Sequence, residues 1–318
     1  MANSDIINRI LHGDCLEWAD EIMTGSVDMI LTDLPYGTVA GIGGNGKINH
    51  GMTGKTAWDI AIDPSKIFEI SNRILRKNGK MLLFSQEPYT TRLITEAHPN
   101  VPFNYRMIWE KDHFANSLIA KKAPVSLYED ILVFAKKYDL EGVHPLREYF
   151  RNVMSFIGLS IGEINKRLGH RRAEHAFYVE STQHGLCTEP TYNELIRVFN
   201  IDSMDGFKTY KELEQEDTHS TFNLWEGGKY KSNILKYKKD YDGFHPTQKP
   251  VLLLEDLIKT FSDKGDTVVD LTAGSGSTAV ACINTARNFI CIEKEWDYCE
   301  TAVKRIDKAK NSSQEVGS

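Results

Sequence analysis

The 318-residue chain lacks several features that mark particular classes of protein. Its five cysteines include no C-x-x-C pair, which argues against structural zinc and against a disulfide framework, so we expect no metal. No apolar run approaches the roughly 18 residues of a membrane helix, and no basic segment precedes an apolar stretch at the start, so we expect a cytoplasmic protein without a membrane partner. A net charge of −6 excludes nucleic-acid binding through bulk charge and leaves room only for a local basic surface.

The residues that are present indicate a globular α/β protein. Hydrophobic residues make up 41% of the chain and charged residues 26%, values typical of a chain with a core. Short runs rich in β-formers predict strands over residues 27–32, 80–84, 105–109, 130–134, 266–271 and 288–293. Helical stretches are predicted over residues 67–75, 252–261, 277–285 and 296–309. Strands that alternate with helices predict a doubly wound α/β sheet.

The middle of the chain differs from both flanks. Residues 147–157 and 161–168 have helical patterns, with Ser160 placed as an N-cap and Gly169 at a helix end, which is the outline of a helix-turn-helix. Residues 38–56 contain six glycines and few apolar side chains. We therefore expect an inserted helical region and a loop over a site.

A glycine-rich turn links a predicted strand to a predicted helix near the end of the chain. Residues 270–279 (D-L-T-A-G-S-G-S-T-A) fit G-x-G-x-x-A, a pattern in which glycines permit a tight turn and close approach of a ligand to the backbone. Glu293 ends the next predicted strand, where a carboxylate can accept hydrogen bonds from ribose hydroxyls. A dinucleotide would fit these residues, but the carboxylate of Asp270 favours the cationic S-adenosylmethionine over a pyrophosphate. Only 42 residues follow Gly276, so the other strands of this sheet must come from the N-terminal half.

A second candidate segment, D-L-P-Y, follows the predicted strand 27–32. The Asp33 carboxylate and the adjacent backbone carbonyl can accept hydrogen bonds from an exocyclic amine, and the Tyr36 ring can stack on a planar base. Two acceptors favour the pyramidal amine whose lone pair is free to attack a methyl group. The alternative is an ordinary proline turn with a surface tyrosine.

Several motifs together resemble a known family. The chain is similar to the amino-group DNA methyltransferases of the permuted β type, in which the catalytic segment comes first, a target-recognition region follows, and the cofactor segment comes last. The resemblance covers most of residues 8–137 and 244–308. Besides D-L-P-Y, it rests on H-G-D-C-L (12–16), H-P-T-Q-K-P (245–250) and D-L-T-A-G-S-G-S-T-A-V-A (270–281).

The resemblance implies a Rossmann-like sheet that binds S-adenosylmethionine, and it implies site residues. The catalytic residues would be Asp33, Leu34, Pro35 and Tyr36. The cofactor would meet Asp14 and Cys15 at its adenine end, Glu293 at its ribose, and Thr247 and Lys249 at its methionine end. The glycine-rich turn would contact it through Asp270, Thr272, Ala273, Gly274, Ser275 and Gly276.

Two departures from the family pattern are visible. Leu34 replaces the first proline of D-P-P-Y, a form associated with phage or prophage-like members found in bacterial or phage-infected cells. Leu271 and Thr272 replace Pro-Phe, which removes the family's aromatic contact beside the methionine group. The implied division of the chain is a catalytic half (1–143), an inserted recognition region (144–243), a cofactor-binding half (244–310) and a tail (311–318).

The chain lacks the dipeptide Pro-Cys, and this absence limits which atom of a base can accept the methyl group. Methylation at carbon 5 of cytosine needs a nucleophilic cysteine, usually after proline, and none of the ten prolines precedes a cysteine. The sequence therefore predicts transfer to an exocyclic amine, with N6 of adenine preferred and N4 of cytosine as the alternative. Either amine lies inside the stacked duplex, so the enzyme must flip the nucleotide out.

The recognition region offers a cluster of cations interleaved with aromatic residues. The residues predicted to contact double-stranded DNA are Lys166, Arg167, Arg171 and Arg172. The alternative is a solvated helix face. Two rival functions also stay open, namely methylation of RNA or of a protein amide, and a DNA-binding regulator that has lost catalysis. A homodimer and a cognate endonuclease are left undecided.

Overall fold

The computed structural model describes residues 5–35, 62–115, 120–122, 124–138, 145–181, 183–218, 221–240 and 248–315. Within these residues a mixed eight-stranded sheet has the strand order β1-β8-β7-β2-β3-β5-β4-β6. The strands are β1 (Arg9–His12), β2 (Val27–Thr32), β3 (Leu75–Ser85), β4 (Phe103–Ala115), β5 (Ser126–Ala135), β6 (Ile234–Lys236), β7 (Thr267–Asp270) and β8 (Asn288–Glu293). The strands β1, β8, β7, β2 and β3 are parallel neighbours.

The strands beyond β3, namely β5, β4 and β6, depart from the purely parallel arrangement of a doubly wound fold. β5 is antiparallel to both β3 and β4, whereas β6 is parallel to β4. Only ten residues, 116–125, separate β4 from β5, which is too short for the crossover that a parallel pair needs. All six predicted strands are present, and β1 and β6 are additions that the sequence patterns did not predict.

Eleven helices are found among the described residues. They are α1 (Cys15–Trp18), α2 (Pro64–Ile74), α3 (Tyr89–Thr95), α4 (Pro145–Ile157), α5 (Ile161–Leu168), α6 (Glu174–Phe177), α7 (Glu189–Phe199), α8 (Tyr210–Thr218), α9 (Val251–Phe261), α10 (Ser277–Thr285) and α11 (Trp296–Glu315). Ser160 caps α5 in a reciprocal capping box with Glu163, and Gly169 ends that helix in the left-handed conformation, as predicted. α11 continues to Glu315, past residue 310, where a tail was expected. No described helix is long and apolar enough to cross a membrane.

The central strands are apolar on both faces because helices cover the sheet on both sides. In β2, Ile30 packs into one apolar cluster with Phe68 of α2 and Leu93 of α3. Its neighbours in β2 face the opposite cluster, which α9 and α10 complete. This double burial fixes the register of the sheet, and with it the position of the residues that follow each strand.

The chain forms two compact units. The first comprises the described residues up to Leu75, from Gly79 to Lys136, and from Thr221 onward, and the second comprises 76–78 and 137–220. The second unit has its own core, in which the hydroxyls of Tyr149 and Tyr192 are hydrogen-bonded. The second unit therefore ends before residue 243, where the sequence-based division placed the end of the insertion.

The segment after the second unit is anchored on α9. Asp256 of α9 accepts hydrogen bonds from Trp225 Nε1 at 2.9 Å, from Lys231 Nζ at 2.5 Å and from Tyr237 Oη at 3.0 Å. Asn223 Nδ2 donates to the carbonyl groups of residues 259 and 262. These contacts attach residues 221–240 to the sheet-bearing unit, where they supply β6.

Helix α10 begins and ends at residues in the left-handed conformation. Gly276, at its N-terminus, has φ +78°, and a Cβ placed there would lie 2.7 Å from Ala302 Cβ of α11. Ala286, at its C-terminus, has φ +60°, which is costly for a residue with a Cβ. Gly276 was expected to give a ligand access to the backbone. The structure shows that it also allows α10 to pack closely on α11.

We therefore expect opposite effects at the two ends of α10. Gly276→Ala should lower the free energy of unfolding by about 1–3 kcal/mol because of backbone strain and overpacking. Ala286→Gly should raise it by about 0.5–1 kcal/mol because strain at an exposed C-terminal position is relieved. Urea denaturation of both variants and the wild type measures the difference. Equal stability of Gly276→Ala and the wild type would contradict the close contact with Ala302.

Candidate active site

The candidate site lies at the edge of the sheet where the parallel strands end. β2 leads into Asp33, β7 ends at Asp270, β8 ends at Glu293 and β1 is followed by Asp14. Because these four strands are parallel, their carboxyl ends open on the same edge, which is where open α/β sheets bind their ligands. The sequence-predicted segments from both ends of the chain are thus brought together within the first unit.

Glu293 holds the glycine-rich turn against the end of β8. Its Oε2 accepts a hydrogen bond from Gly274 N at 2.7 Å, and its Oε1 accepts one from Glu295 N at 2.7 Å. Ala273 N also donates to the carbonyl of Ile292 at 2.8 Å. Burial raises the pKa of the Glu293 carboxyl. A carboxylate has about four acceptor positions, so Glu293 can still accept hydrogen bonds from a ribose.

Asp270 orders the same turn from inside. The side chain is buried and accepts hydrogen bonds from Thr272 N at 3.1 Å and from Thr278 Oγ1 at 2.5 Å. Burial raises the pKa of Asp270 to about 6, although these hydrogen bonds favour the charged form. Contact between Asp270 and a cationic ligand stays a prediction, and the structure gives the carboxylate a further role in shaping the turn.

Ser275 belongs to the glycine-rich turn, and its side chain is buried. Its hydroxyl donates to Gln248 Oε1 at 3.1 Å. Arg305 Nη1 of α11 donates to the Ser275 carbonyl at 2.8 Å and to its hydroxyl at 2.9 Å. The Ser275 side chain is therefore engaged by the protein, and α11 supports the turn from below.

Asp14 and Cys15 begin α1 after β1. Asp14 Oδ1 accepts a hydrogen bond from Leu16 N at 2.9 Å, and Oδ2 accepts one from Lys294 Nζ at 3.0 Å. The backbone hydrogen bond and Lys294 lower the pKa of Asp14. Cys15 is buried in the core, and this burial raises the pKa of its thiol to about 11. Asp14 stays accessible at the site, whereas the Cys15 side chain belongs to the core.

The D-L-P-Y segment is joined to the glycine-rich turn by Thr272. Thr272 Oγ1 donates to the Asp33 carbonyl at 2.9 Å and lies 2.8 Å from Thr32 Oγ1. The Leu34 side chain is buried in the core, and Pro35 is half-buried. Tyr36 and Thr247 lie outside the described residues. Thr272, one of the two departures from the family pattern, thus fixes the backbone of the predicted catalytic segment.

The Asp33 carboxylate forms an ion pair with Lys249, which starts a chain of four charged side chains. Lys249 Nζ pairs with Asp33 Oδ2 and lies 3.2 Å from Glu129 Oε2, and Glu129 Oε1 lies 3.1 Å from Lys111 Nζ. Burial alone would lower the pKa of Lys249, but the carboxylates of Asp33 and Glu129 outweigh it and raise that pKa to about 12. Despite burial, Lys249 and Lys111 hold the pKa of Glu129 below its ordinary value. We name these four residues the charge chain.

The sequence patterns did not identify Glu129 and Lys111. Each stands beside a predicted strand, Lys111 two residues after 105–109 and Glu129 immediately before 130–134. A charged residue at the end of an apolar run was the signal that could have found them. Their pairing depends on the antiparallel register of β4 and β5, which single-sequence patterns do not contain.

The predicted DNA-contacting cations lie in the second unit. Lys166 and Arg167 are exposed in the last turn of α5. The Arg171 side chain is 75% exposed and pairs with Glu174 at 2.8 Å, and that of Arg172 is 67% exposed and lies 3.7 Å from Glu194. The cluster is accessible to a partner, but Arg171 and Arg172 each form an ion pair with a glutamate.

The described residues hold no group of three or more His, Cys, Asp or Glu side chains that could bind a metal ion. All five cysteines of the chain fall within the described ranges, where they are buried and free.

Comparison with known proteins gives consistent results. A family model described as DNA methylase, of the N6/N4 methyltransferase type, matches residues 27–304. The DNA adenine methyltransferase YhdJ of Escherichia coli (strain K12) is 26% identical over 312 residues, which cover 96% of this chain and 85% of that protein.

Solved structures of low identity support the fold. The structure of the M1.HpyAVI–SAM complex has a TM-score of 0.54 and 17% identity, and the match covers 94% of this chain and 98% of that chain. The cytosine-N4-specific PvuII DNA methyltransferase has a TM-score of 0.51 and 13% identity, over 95% of this chain and 90% of that chain. The predicted Rossmann-like α/β fold is thereby confirmed.

The raised pKa of Asp270 predicts a particular dependence of stability on pH. The folded state retains the proton up to about pH 6, whereas the unfolded chain releases it near its ordinary value of 3.8. The wild type should therefore lose stability relative to Asp270→Asn as the pH rises from about 4 to about 6, by up to about 3 kcal/mol. Urea denaturation at several pH values between about 3.5 and about 7 measures this difference. A constant difference across the range would contradict the buried position of Asp270.

Proposed function

Because the chain belongs to the N6/N4 type of the DNA methylase family, we propose that it methylates the exocyclic amine of a flipped base in double-stranded DNA, with N6 of adenine as the acceptor. The observation that carries this proposal is the position of Asp33 beside the glycine-rich turn, at one edge of a sheet that both ends of the chain build. The methyl donor is S-adenosylmethionine, which supplies an electrophilic methyl group on a sulfonium.

The residues at the sheet edge fit this cofactor. Glu293 ends β8 with acceptor capacity left for ribose hydroxyls, and its hydrogen bond from Gly274 N holds the turn in place. Asp14 stands after the neighbouring strand β1 and carries a carboxylate of lowered pKa. Negative charge at both places suits a cofactor that carries an ammonium and a sulfonium better than one that carries a pyrophosphate.

Asp33 is the residue proposed to receive the base. Its carboxylate accepts a hydrogen bond from the target amine, and the adjacent backbone carbonyl of Leu34 accepts a second. Two acceptors hold the amine with its lone pair directed at the methyl group. The hydrogen bond from Thr272 to the Asp33 carbonyl supports this role, because it fixes the segment beside the cofactor turn. Tyr36 is proposed to stack on the flipped base.

Adenine is favoured over cytosine by a relative that spans nearly the whole chain and is named a DNA adenine methyltransferase. The cytosine-N4-specific enzyme matches at 13% identity and supports the fold alone. The hypothesis that RNA or a protein amide is the acceptor has less support, because the family model describes a DNA methylase. Mass spectrometry of nucleosides from methylated duplex DNA distinguishes N6-methyladenine from N4-methylcytosine.

Removal of the Asp33 carboxylate should abolish methyl transfer while leaving cofactor binding intact. In Asp33→Ala we expect turnover to fall by a factor of about 100 or more, because the acceptor that orients the amine is lost. Calorimetry should give an affinity for S-adenosylmethionine close to that of the wild type. Asp20→Ala, which removes an exposed carboxylate of the same unit, is the control. Turnover near the wild-type rate in Asp33→Ala would exclude the assigned role.

The exposed arginines of the second unit are proposed to contact DNA phosphates. Changing Arg171 and Arg172 to Gln should weaken duplex binding and reduce the slope of log affinity against log salt by up to about 0.9 for each lost contact. Gln avoids placing like charges beside Glu174 and Glu194. Arg197→Gln is the matched control, since Arg197 is equally exposed, at 76%, and also lies near Glu194.

Fluorescence anisotropy with a labelled duplex at several salt concentrations gives both slopes. If the double variant and the wild type have the same slope, these arginines are solvated residues of the turn between α5 and α6, and the phosphate contacts lie elsewhere. One other basic segment is available, because residues 229–239 contain five lysines and no acidic residue.

A further inference from the structure

The charge chain places a competing donor on the carboxylate that the proposed reaction uses. Lys249 Nζ donates a hydrogen bond to Asp33 Oδ2. The carboxylate of Asp33 is also the group that has to accept a hydrogen bond from the target amine. The ammonium is buried beneath the site and stacks 5.0 Å from the ring of Phe84. If the amine displaced Lys249 from Asp33 and nothing replaced it, a buried cation would lose its partner, which is strongly unfavourable.

Glu129 offers the second acceptor that Lys249 needs. Its Oε2 lies 3.2 Å from Lys249 Nζ, so the ion pair with the ammonium already exists, and this buried oxygen has acceptor capacity to strengthen it. A small rotation of the flexible lysine stem would turn an N–H from Asp33 towards Glu129. The ammonium would then stay paired throughout, and no net charge would move out of the site.

Lys111 keeps Glu129 in place for this exchange. Lys111 Nζ lies 3.1 Å from the other oxygen of Glu129, and the side chain of Lys111 is only 2% exposed. Lys111 belongs to β4 and Glu129 to β5, two long antiparallel strands whose register pairs Trp109 with Glu129. The acceptor therefore rests on rigid elements, and Lys249 is the only flexible member between Glu129 and Asp33.

We propose that Glu129, held by Lys111, is a positioning residue that takes over the Lys249 ammonium when the target amine binds to Asp33. This inference rests on the proposed methyl transfer and adds two residues to it. Glu129 and Lys111 act through Lys249 and contact neither base nor cofactor. The two carboxylates and two ammonium groups keep the charge chain neutral in both arrangements.

The test compares Glu129→Gln with the wild type in steady-state methylation of duplex DNA. Among the described residues, Asp33 is then the one carboxylate left to pair with Lys249, so the amine must compete with the full ion pair. We expect turnover to fall by a factor of about 10 or more, while the affinity for S-adenosylmethionine stays within about two-fold of the wild type. Glu110→Gln is the matched control, since Glu110 forms an exposed ion pair with Lys236 outside the charge chain.

Variants of Lys111 separate positioning from stability. Lys111→Met should lower turnover, and Lys111→Arg should retain more of it, because Arg keeps the cation that holds Glu129. In Glu129→Gln/Lys111→Met the loss should be close to that of one single variant, since both residues act along one path. A merely structural pair would instead reduce stability with no selective effect on turnover, which thermal unfolding of each variant detects.

The outcomes separate this inference from the proposed function. If the wild type transfers no methyl group to DNA, the proposed function is wrong. If the wild type is active and Glu129→Gln matches it in turnover, the positioning role is wrong. If Glu129→Gln does not fold, the comparison of Lys111→Met with Lys111→Arg decides, and equal turnover of these two would also overturn the proposal.

Discussion

The parallel pairing of β2 with β7 is the interaction on which the rest of the site depends. Met29 and Ile30 lie opposite Val268 and Val269, so two segments from opposite ends of the chain meet in the centre of the sheet. Thr272 then bonds to the carbonyl of Asp33 across 239 residues of sequence. Without this pairing the D-L-P-Y segment and the glycine-rich turn would be unconnected motifs. With it, the Asp33 carboxylate and the glycine-rich turn stand at one edge of the sheet.

Much of this arrangement was predictable because the motifs lie at the ends of strands. The short length of chain after Gly276 correctly required N-terminal strands to complete the sheet, and β1 and β2 do so beside β8 and β7. The four residues of β1 and three of β6 were too short to give a pattern. Glu129 and its partners could not be predicted, because their pairing arises from tertiary register. The roles assigned to the site residues stay predictions, and Tyr36 and Thr247 lie outside the described residues.

The structure shows what the two residues that depart from the family pattern contact. Leu34, which replaces a proline, is buried in the apolar cluster beneath the site, where a larger aliphatic side chain adds buried surface. Thr272, which replaces an aromatic residue, exchanges an apolar contact for a hydroxyl that links β2 to the glycine-rich turn. Both side chains anchor the backbone at Asp33.

The second unit leaves the sheet after β5 and returns at Thr221, where Asn223 and the contacts to Asp256 attach the chain again. Its apolar core shares no residue with the two clusters that flank the sheet. The sequence of such an insertion can change without altering the core of the sheet. Its length can also change, because loop-closure entropy depends only weakly on the number of inserted residues. Under the proposed function, a change of DNA specificity requires substitutions in this unit alone and leaves the residues at the sheet edge as they are.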